Sequence, residues 1–504
     1  MVAQKSKQVI LLLNDHLHRN YGALKGAKPG THEILFIESD RMLTTRSWHI
    51  QRLFFLLSAR EHFLQELRAE GFKVTFIQSA DTPTGLAEFR KSFPDVEILV
   101  AEPSSHRQYE QLQTAGLTFI PNDFFLTSRP LFAQWASAQK NPIMENFYRA
   151  QRVRLNILME GDQPLGSKWN YDADNRLPPP KGAHTWPAYL AHQRDEIDKK
   201  VLHDIKSRTL PVFGDDPDET WGTTRAAALA QMKHFFETAF AEFGAYEDAM
   251  VADSWAVNHS LLSPYLNIGL LHAEEVVAAA IARFNEGGIP LSSAEGFIRQ
   301  IIGWREYING LYWFYGDEYR KENALQANRP LLPLFTDSAK TEMNCVKTQV
   351  HDIESRAWVH HIPRLMVLSN LALITGISPQ EFLDWMRRAF IDAADWVMVP
   401  NVIGMSLHAD GGKLATKPYA AGGSYISKMG SFCKECTFDP KQRIGGDACP
   451  FTTLYWDFLD RNQERFAKNH RMGQQLAGLK RLRDLPELRE RAKEVLDLLS
   501  RGEL

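Results

Sequence analysis

All four cysteines of the chain fall into one pattern: Cys345, then Cys433-Lys434-Glu435-Cys436, then Cys449-Pro450. A C-x2-C knuckle with one cysteine far upstream and one close downstream is a metal-ligand arrangement. Four thiolates are soft donors that complete either a tetrahedral zinc or a [4Fe-4S] cube. Zinc sites of the four-cysteine type more often pair two knuckles, and the wide spacing with a terminal Cys-Pro leans toward iron–sulfur. Four unrelated buried thiols are the third reading, because free cysteine packs as a small apolar residue. Three of the four sit in an irregular, Gly-rich stretch at 404–450, where metal binding and local folding would be coupled.

Composition bounds the rest. A chain of 504 residues has room for two or three domains with large cores. A net charge of −3 creates no overall field that advertises a nucleic-acid partner. Aromatic residues make up 11%, including 12 Trp, which fits base stacking, a large planar cofactor or a well-filled core. No apolar run reaches the roughly 18 residues that a membrane span needs, so no membrane partner is expected. The N-terminus runs directly into a strand-like segment without a secretory signal. With few cysteines and no disulfide framework, that points to a reducing cytoplasm.

Residues 1–130 alternate strand and helix. Gln8–Leu13, Glu33–Ile37, Lys73–Ile77 and Val96–Val100 are apolar runs of buried parallel-strand type, and a helical pattern from about Ser47 to Glu70 ends at Gly71. This punctuation predicts a doubly wound, Rossmann-like α/β domain. It lacks both G-x-G-x-x-G and a Walker A loop, so dinucleotide or nucleoside-triphosphate binding has no direct support. Residues 131–225 are rich in Pro, Asn, Asp and Trp and read as a long, partly helical connection. From 226 to 504 strand signals almost vanish. Helical runs at Ala226–Phe243, Ala273–Asn285, Ala294–Tyr315, Arg364–Thr375 and Pro379–Phe390 predict an all-α domain.

Three stretches of that domain combine residue types suited to chemistry. His259-Ser260-Leu261-Leu262-Ser263-Pro264 opens a helix, where free N–H groups and hydroxyls suit an anion, although from physics alone an ordinary N-cap is the favoured explanation. Phe297–Tyr307 puts Gln300 and Trp304 on one helical face at i, i+4, and core packing does not account for that Gln, Trp and Arg mixture. Asp392, Asp395 and Asn401 follow a helix.

Taken together, Leu262-Ser-Pro-Tyr-Leu266 with Gly269, Trp304-Arg305-Glu306, and Asp392, Asp395 and Asn401 resemble the flavin half of the photolyase/cryptochrome superfamily. The four cysteines, Ala415-Thr-Lys-Pro-Tyr419 and Tyr425 are similar to its iron–sulfur bacterial branch, which includes prokaryotic (6-4) photolyases. The resemblance runs from Asn14-Asp15-His16 to Tyr455-Trp-Asp-Phe458.

It implies an N-terminal antenna domain and a helical domain that binds FAD in a bent shape. Ser260, Leu261, Leu262 and Ser263 would face the phosphates and ribityl chain, Arg305 the flavin side, Asp395 the ring edge and Asn401 the region of N5. Cys345, Cys433, Cys436 and Cys449 would ligate a [4Fe-4S] cluster. The implied activity is light-driven repair of (6-4) photoproducts in UV-damaged DNA by a monomeric bacterial, cytoplasmic enzyme. Reduced flavin would donate an electron to a flipped-out lesion. His361 would be the general acid, near neutrality in its unperturbed pKa, with His360 orienting it. Gln300, where many cyclobutane-dimer photolyases carry Glu, would line the lesion pocket with Trp304, Tyr419 and Tyr425. A sensory blue-light cryptochrome of the same branch, and a light-independent iron–sulfur scaffold, are the competing classes.

The chain also departs from that family. Trp385 fits the flavin-proximal member of a photoreduction relay, but Met386 and Asp337 stand where relatives carry further aromatics. In the antenna region Asp15 and Glu38 are retained, whereas Ile37, Met42 and Thr45 replace polar or aromatic residues that some relatives use on 6,7-dimethyl-8-ribityllumazine. The locally basic run from Asp460 to Arg471, with Lys480–Arg483, is of the kind that usually forms a solvated helix face, with phosphate contacts as its second reading.

Overall fold

The computed structural model describes residues 8–504. Its N-terminal part is a five-stranded, all-parallel sheet of β1 (Gln8–Leu11), β2 (His32–Ser39), β3 (Val74–Ser79), β4 (Ile98–Ala101) and β5 (Thr118–Ile120), in the order β3-β2-β1-β4-β5. Four of these strands correspond to the apolar runs in the sequence. The fifth is only three residues long and half exposed at the sheet edge, too short and too polar to register as a periodic signal.

The alternation of side chains across the pleat explains why the runs are apolar throughout. Val9, Leu11, Leu35 and Ile37 point to a face closed by Leu86, Phe89 and Leu112 from the helices Thr82–Ser92 and His106–Thr114. Ile10, Ile34 and Phe36 point the other way. They join one continuous core with the long helix Ile50–Ala69 and with Leu262, Tyr265 and Phe297 of the helical half. The sheet therefore shares its hydrophobic interior with the α domain.

The connecting region contains three helices, Arg129–Ser137, Met144–Leu155 and Glu196–Ser207, which pack on both neighbours. Phe132 lies over Gly310, where a Cβ would come within 2.1 Å of its ring. Only glycine permits that close approach of helix to helix. His62 on Ile50–Ala69 meets the N-cap Asp195 at 2.9 Å.

Several long helical expectations are divided in the structure. Ala226–Phe243 becomes Arg225–Thr238 and Phe240–Tyr246. Ala294–Tyr315 becomes Leu291–Ile298, a π-helical turn Arg299–Arg305 and Glu306–Tyr315. Arg364–Thr375 becomes a π-helical Pro363–Ser369 followed by Asn370–Thr375. A third π segment, Asn401–Ser406, follows Asp395–Pro400. Hydrophobic periodicity does not distinguish π from α over so few residues. Such wide turns re-aim side chains and concentrate at functional sites, and here they carry Gln300 and Trp304, follow His361, and begin at Asn401.

Candidate functional site

Ser263, one of the expected flavin-site residues, touches a buried ion pair. Asp392 accepts from Ser263 Oγ at 2.6 Å and from both terminal nitrogens of Arg364 at 2.9 and 3.0 Å. Its backbone carbonyl accepts from Asn267 Nδ2 at 2.7 Å. Arg364 also stacks its guanidinium 4.2 Å from the Phe390 ring. Ser263 starts the short helix Ser263–Asn267, with Leu262 as its N-cap and, before that, Leu261 at φ +59°, a strained backbone for a bulky residue. Ser260 Oγ accepts from Leu262 N at 3.4 Å, while Leu261 and Leu262 are buried. Arg364 was absent from the sequence-derived set, although it lies three residues after His361 and was legible as part of the same run.

The remaining residues of that set have partners of their own. Asp395 pairs with Arg387 at 2.5 Å and lies 3.5 Å from Arg320. Arg305 is buried between Phe125, at 4.2 Å, and Glu306, at 2.8 Å. Asn401 Nδ2 donates to Val397 O at 2.8 Å. Trp385 is fully buried, and its ring contacts are Phe335, Phe382 and Phe390. Asp337 caps a 3-10 turn by accepting from Ala339 N.

A second cluster forms around His259. His259, held by its Nε2 to Glu247 O at 3.1 Å, stacks on His360 with centroids 4.3 Å apart. His361 stands edge-on to His259, half exposed, with Nε2 3.5 Å from Asp248 Oδ1. Gln300 Nε2 donates to Glu247 Oε2 at 3.4 Å. Burial pushes the Glu247 carboxyl up to about 8 against the opposing charge of Arg299. The tyrosine hydroxyls belong to the same surroundings. Burial, with Asp248 nearby, pushes Tyr425 up to about 12, and burial likewise raises Tyr419, which senses Arg176 and Asp172. Asn370 clamps the loop carrying Tyr419 through two bonds to Ala421, at 2.8 and 3.1 Å. Trp304 packs edge-on to Tyr307. Glu247, Asp248, Asp172, Arg176 and His259 also belong to this cluster, and nothing in the periodicity of their own segments marks them for it.

The four cysteines come together in a third place. Their sulfurs line one apolar pocket with Met343, Ile426, Phe432, Phe438 and Phe451. A Cβ on Gly423 would fall 2.8 Å from Cys449 Sγ, so glycine keeps that side open. Among the described residues, the three-ligand groups whose donor atoms all lie within 4.8 Å of one another contain no cysteine. A single zinc with bonds of about 2.3 Å would require sulfurs roughly 3.8 Å apart.

In the sheet domain Glu38 is buried between Arg60, at 2.5 Å, and Arg208, at 2.7 Å.

A doubly wound sheet joined through one core to a helical domain with a buried Ser–Asp–Arg node defines a photolyase-type flavoprotein. The family model described as deoxyribodipyrimidine photo-lyase-related protein matches residues 10–221. The (6-4) photolyase of Agrobacterium fabrum is 40% identical over 482 residues, covering 93% of this chain and 95% of that protein. Two solved structures share the fold. A bacterial class III photolyase from Agrobacterium tumefaciens has a TM-score of 0.58 at 17% identity, covering 99% of each chain. The cryptochrome of Synechocystis sp. PCC6803 has a TM-score of 0.53 at 15% identity, covering 81% and 83%. The chain belongs to the photolyase/cryptochrome family, in the branch of the bacterial (6-4) photolyases.

The residues present suit the flavin that goes with this family. Trp358 Nε1 and Trp385 Nε1 are buried with no hydrogen-bond partner among the described residues, although buried indole N–H groups normally find one.

Proposed function

We propose that this protein repairs (6-4) pyrimidine photoproducts in DNA by light-driven electron transfer from reduced FAD. The observation that carries the reading is the hydrogen bond of Gln300 to Glu247 and the placing of His361 beside Asp248, in the same helical half as the Ser263–Asp392–Arg364 node. Reduced flavin supplies the electron when bound. The chain's own residues do the rest. Ser263, Asp392 and Arg364 hold the cofactor side, with Asp395 and Asn401 near the ring.

His361 stands at the solvent-facing edge, with a carboxylate 3.5 Å from Nε2. It is the one imidazole of the cluster able to reach a lesion and lend it a proton. His360, buried behind it, fixes its position. The carboxamide of Gln300 offers a lesion both a donor and an acceptor without adding charge, while Trp304, Tyr419 and Tyr425 provide stacking surface for unpaired bases.

The four-cysteine pocket holds a [4Fe-4S] cluster in this reading, supported by the apolar lining and by four soft thiolate donors gathered in one place. The sheet domain carries an antenna chromophore of the ribityllumazine class, and the protein works as a monomer in the bacterial cytoplasm.

Blue light on an oligonucleotide containing a single (6-4) lesion tests the activity. Restored pyrimidines establish repair. Tight flavin binding without repair makes the protein a receptor, and repair of a cyclobutane dimer instead would overturn the substrate.

A further inference from the structure

Two sets of three potential ligands bring their donor atoms within 4.8 Å of one another: His62 with Asp195 and Asp198, and His259 with His360 and His361. The first is already satisfied, because the two ring nitrogens of His62 reach Ser58 O and Asp195, each at 2.9 Å. The second is not. His259 Nε2 lies 3.1 Å from the Glu247 carbonyl, and a carbonyl accepts only from an N–H, so the lone pair of that ring belongs to Nδ1. His360 is 3% exposed, and its Nδ1 has no partner among the described residues. His361 closes the group from the solvent side.

We propose that His259, His360 and His361 form a three-imidazole site for a divalent transition-metal ion of the zinc class, and that occupation of this site blocks repair. Imidazole nitrogens select zinc, copper or nickel over magnesium and calcium. A three-histidine set leaves a fourth position open, here on the exposed side of His361. The Nε2–H to carbonyl bond of His259 orients the ring as a ligand's outer partner does. With bonds of about 2.0–2.1 Å the nitrogens must approach to roughly 3.3 Å, so the stacked rings of His259 and His360 have to tilt toward a common point while the exposed His361 swings in.

A bound ion occupies the lone pair of His361 and seals the lesion side, so no proton leaves that ring. The consequence for repair rests on the reading given under Proposed function, whereas the site itself does not.

The test uses the flavin- and cluster-loaded protein, in the dark and without DNA, titrated with Co2+. Expected are ligand-field bands saturating at one Co2+ per chain, without a thiolate-to-cobalt charge-transfer band, and reversed by Zn2+. His361→Asn and His259→Gln should each weaken binding roughly tenfold or more, since even outer-partner losses cost that much. His361 lies at the surface, so its variant avoids a folding defect. Absence of the bands, bands unchanged in both variants, or a thiolate band would overturn the site. In the repair assay Zn2+ should inhibit and a chelator should restore activity; repair indifferent to a bound ion would overturn the block. Co2+ binding by a protein that repairs no lesion would leave the site standing and sink only the function.

Discussion

Arg364 grips Asp392 with both guanidinium nitrogens, at 2.9 and 3.0 Å, while Ser263 closes the same carboxylate at 2.6 Å. Both partners of the ion pair are largely buried. Removing one leaves an uncompensated charge, at a cost of about 3–5 kcal/mol. Arg364→Ala should therefore lower the melting temperature and the flavin content per chain. Arg364→Lys should fall between, because an ammonium does not reproduce the two-pronged fork. An Arg364→Ala protein with full flavin and an unchanged melting temperature would remove this node from the cofactor site.

Repair should depend on His361 without binding depending on it. His361→Ala is expected to hold lesion DNA as the parent does and to lose repair by about 100-fold or more, the usual scale of general acid catalysis. Gel-shift and single-turnover repair measured on the same protein separate the two effects.

The Glu247 carboxyl, raised to about 8 by burial, makes stability depend on pH. In the unfolded chain it titrates near its ordinary 4.5. Between those values the unfolded state releases a proton that the folded state keeps, so this group lowers stability as pH rises through the window. The loss is at most about 1.4 kcal/mol per pH unit. Glu247→Gln should flatten the fall in melting temperature across the window, and an identical slope in the variant would rule the group out.

Photoreduction should be slow or rerouted. Trp385 is surrounded by the rings of Phe335, Phe382 and Phe390, none as easily oxidised as Trp or Tyr, and Met386 and the turn-capping Asp337 interrupt the outward path. Trp385→Phe should impair light-driven flavin reduction while flavin binding persists. Met386→Tyr should accelerate it, as followed by absorbance under blue light. Repair with chemically reduced flavin should ignore both changes.

Iron analysis checks the cysteine pocket. The purified protein should be yellow-brown, with about four iron atoms per chain. Replacing Cys345, Cys433, Cys436 or Cys449 by Ala should abolish soluble protein, because cluster binding and folding of the 404–450 stretch are coupled. A colourless, zinc-loaded preparation would exclude the cluster.

The sequence by itself determined the two-part architecture, because buried parallel strands and amphipathic helices leave periodic apolar signatures in Val9–Leu11, Leu35–Ile37 and Ala273–Asn285 that local reading detects. It also marked the four cysteines and the residues of the flavin and lesion sets through short motifs. Tertiary structure decided what those motifs face. The acid pair Glu247-Asp248 and the distant Asp172 come from two separate, aperiodic segments. Only packing brings them beside Gln300 and His361, and only burial raises the Glu247 carboxyl. The π turns at Arg299–Arg305 and Pro363–Ser369 likewise depend on long-range contacts, since over seven residues their local pattern is that of an α-helix.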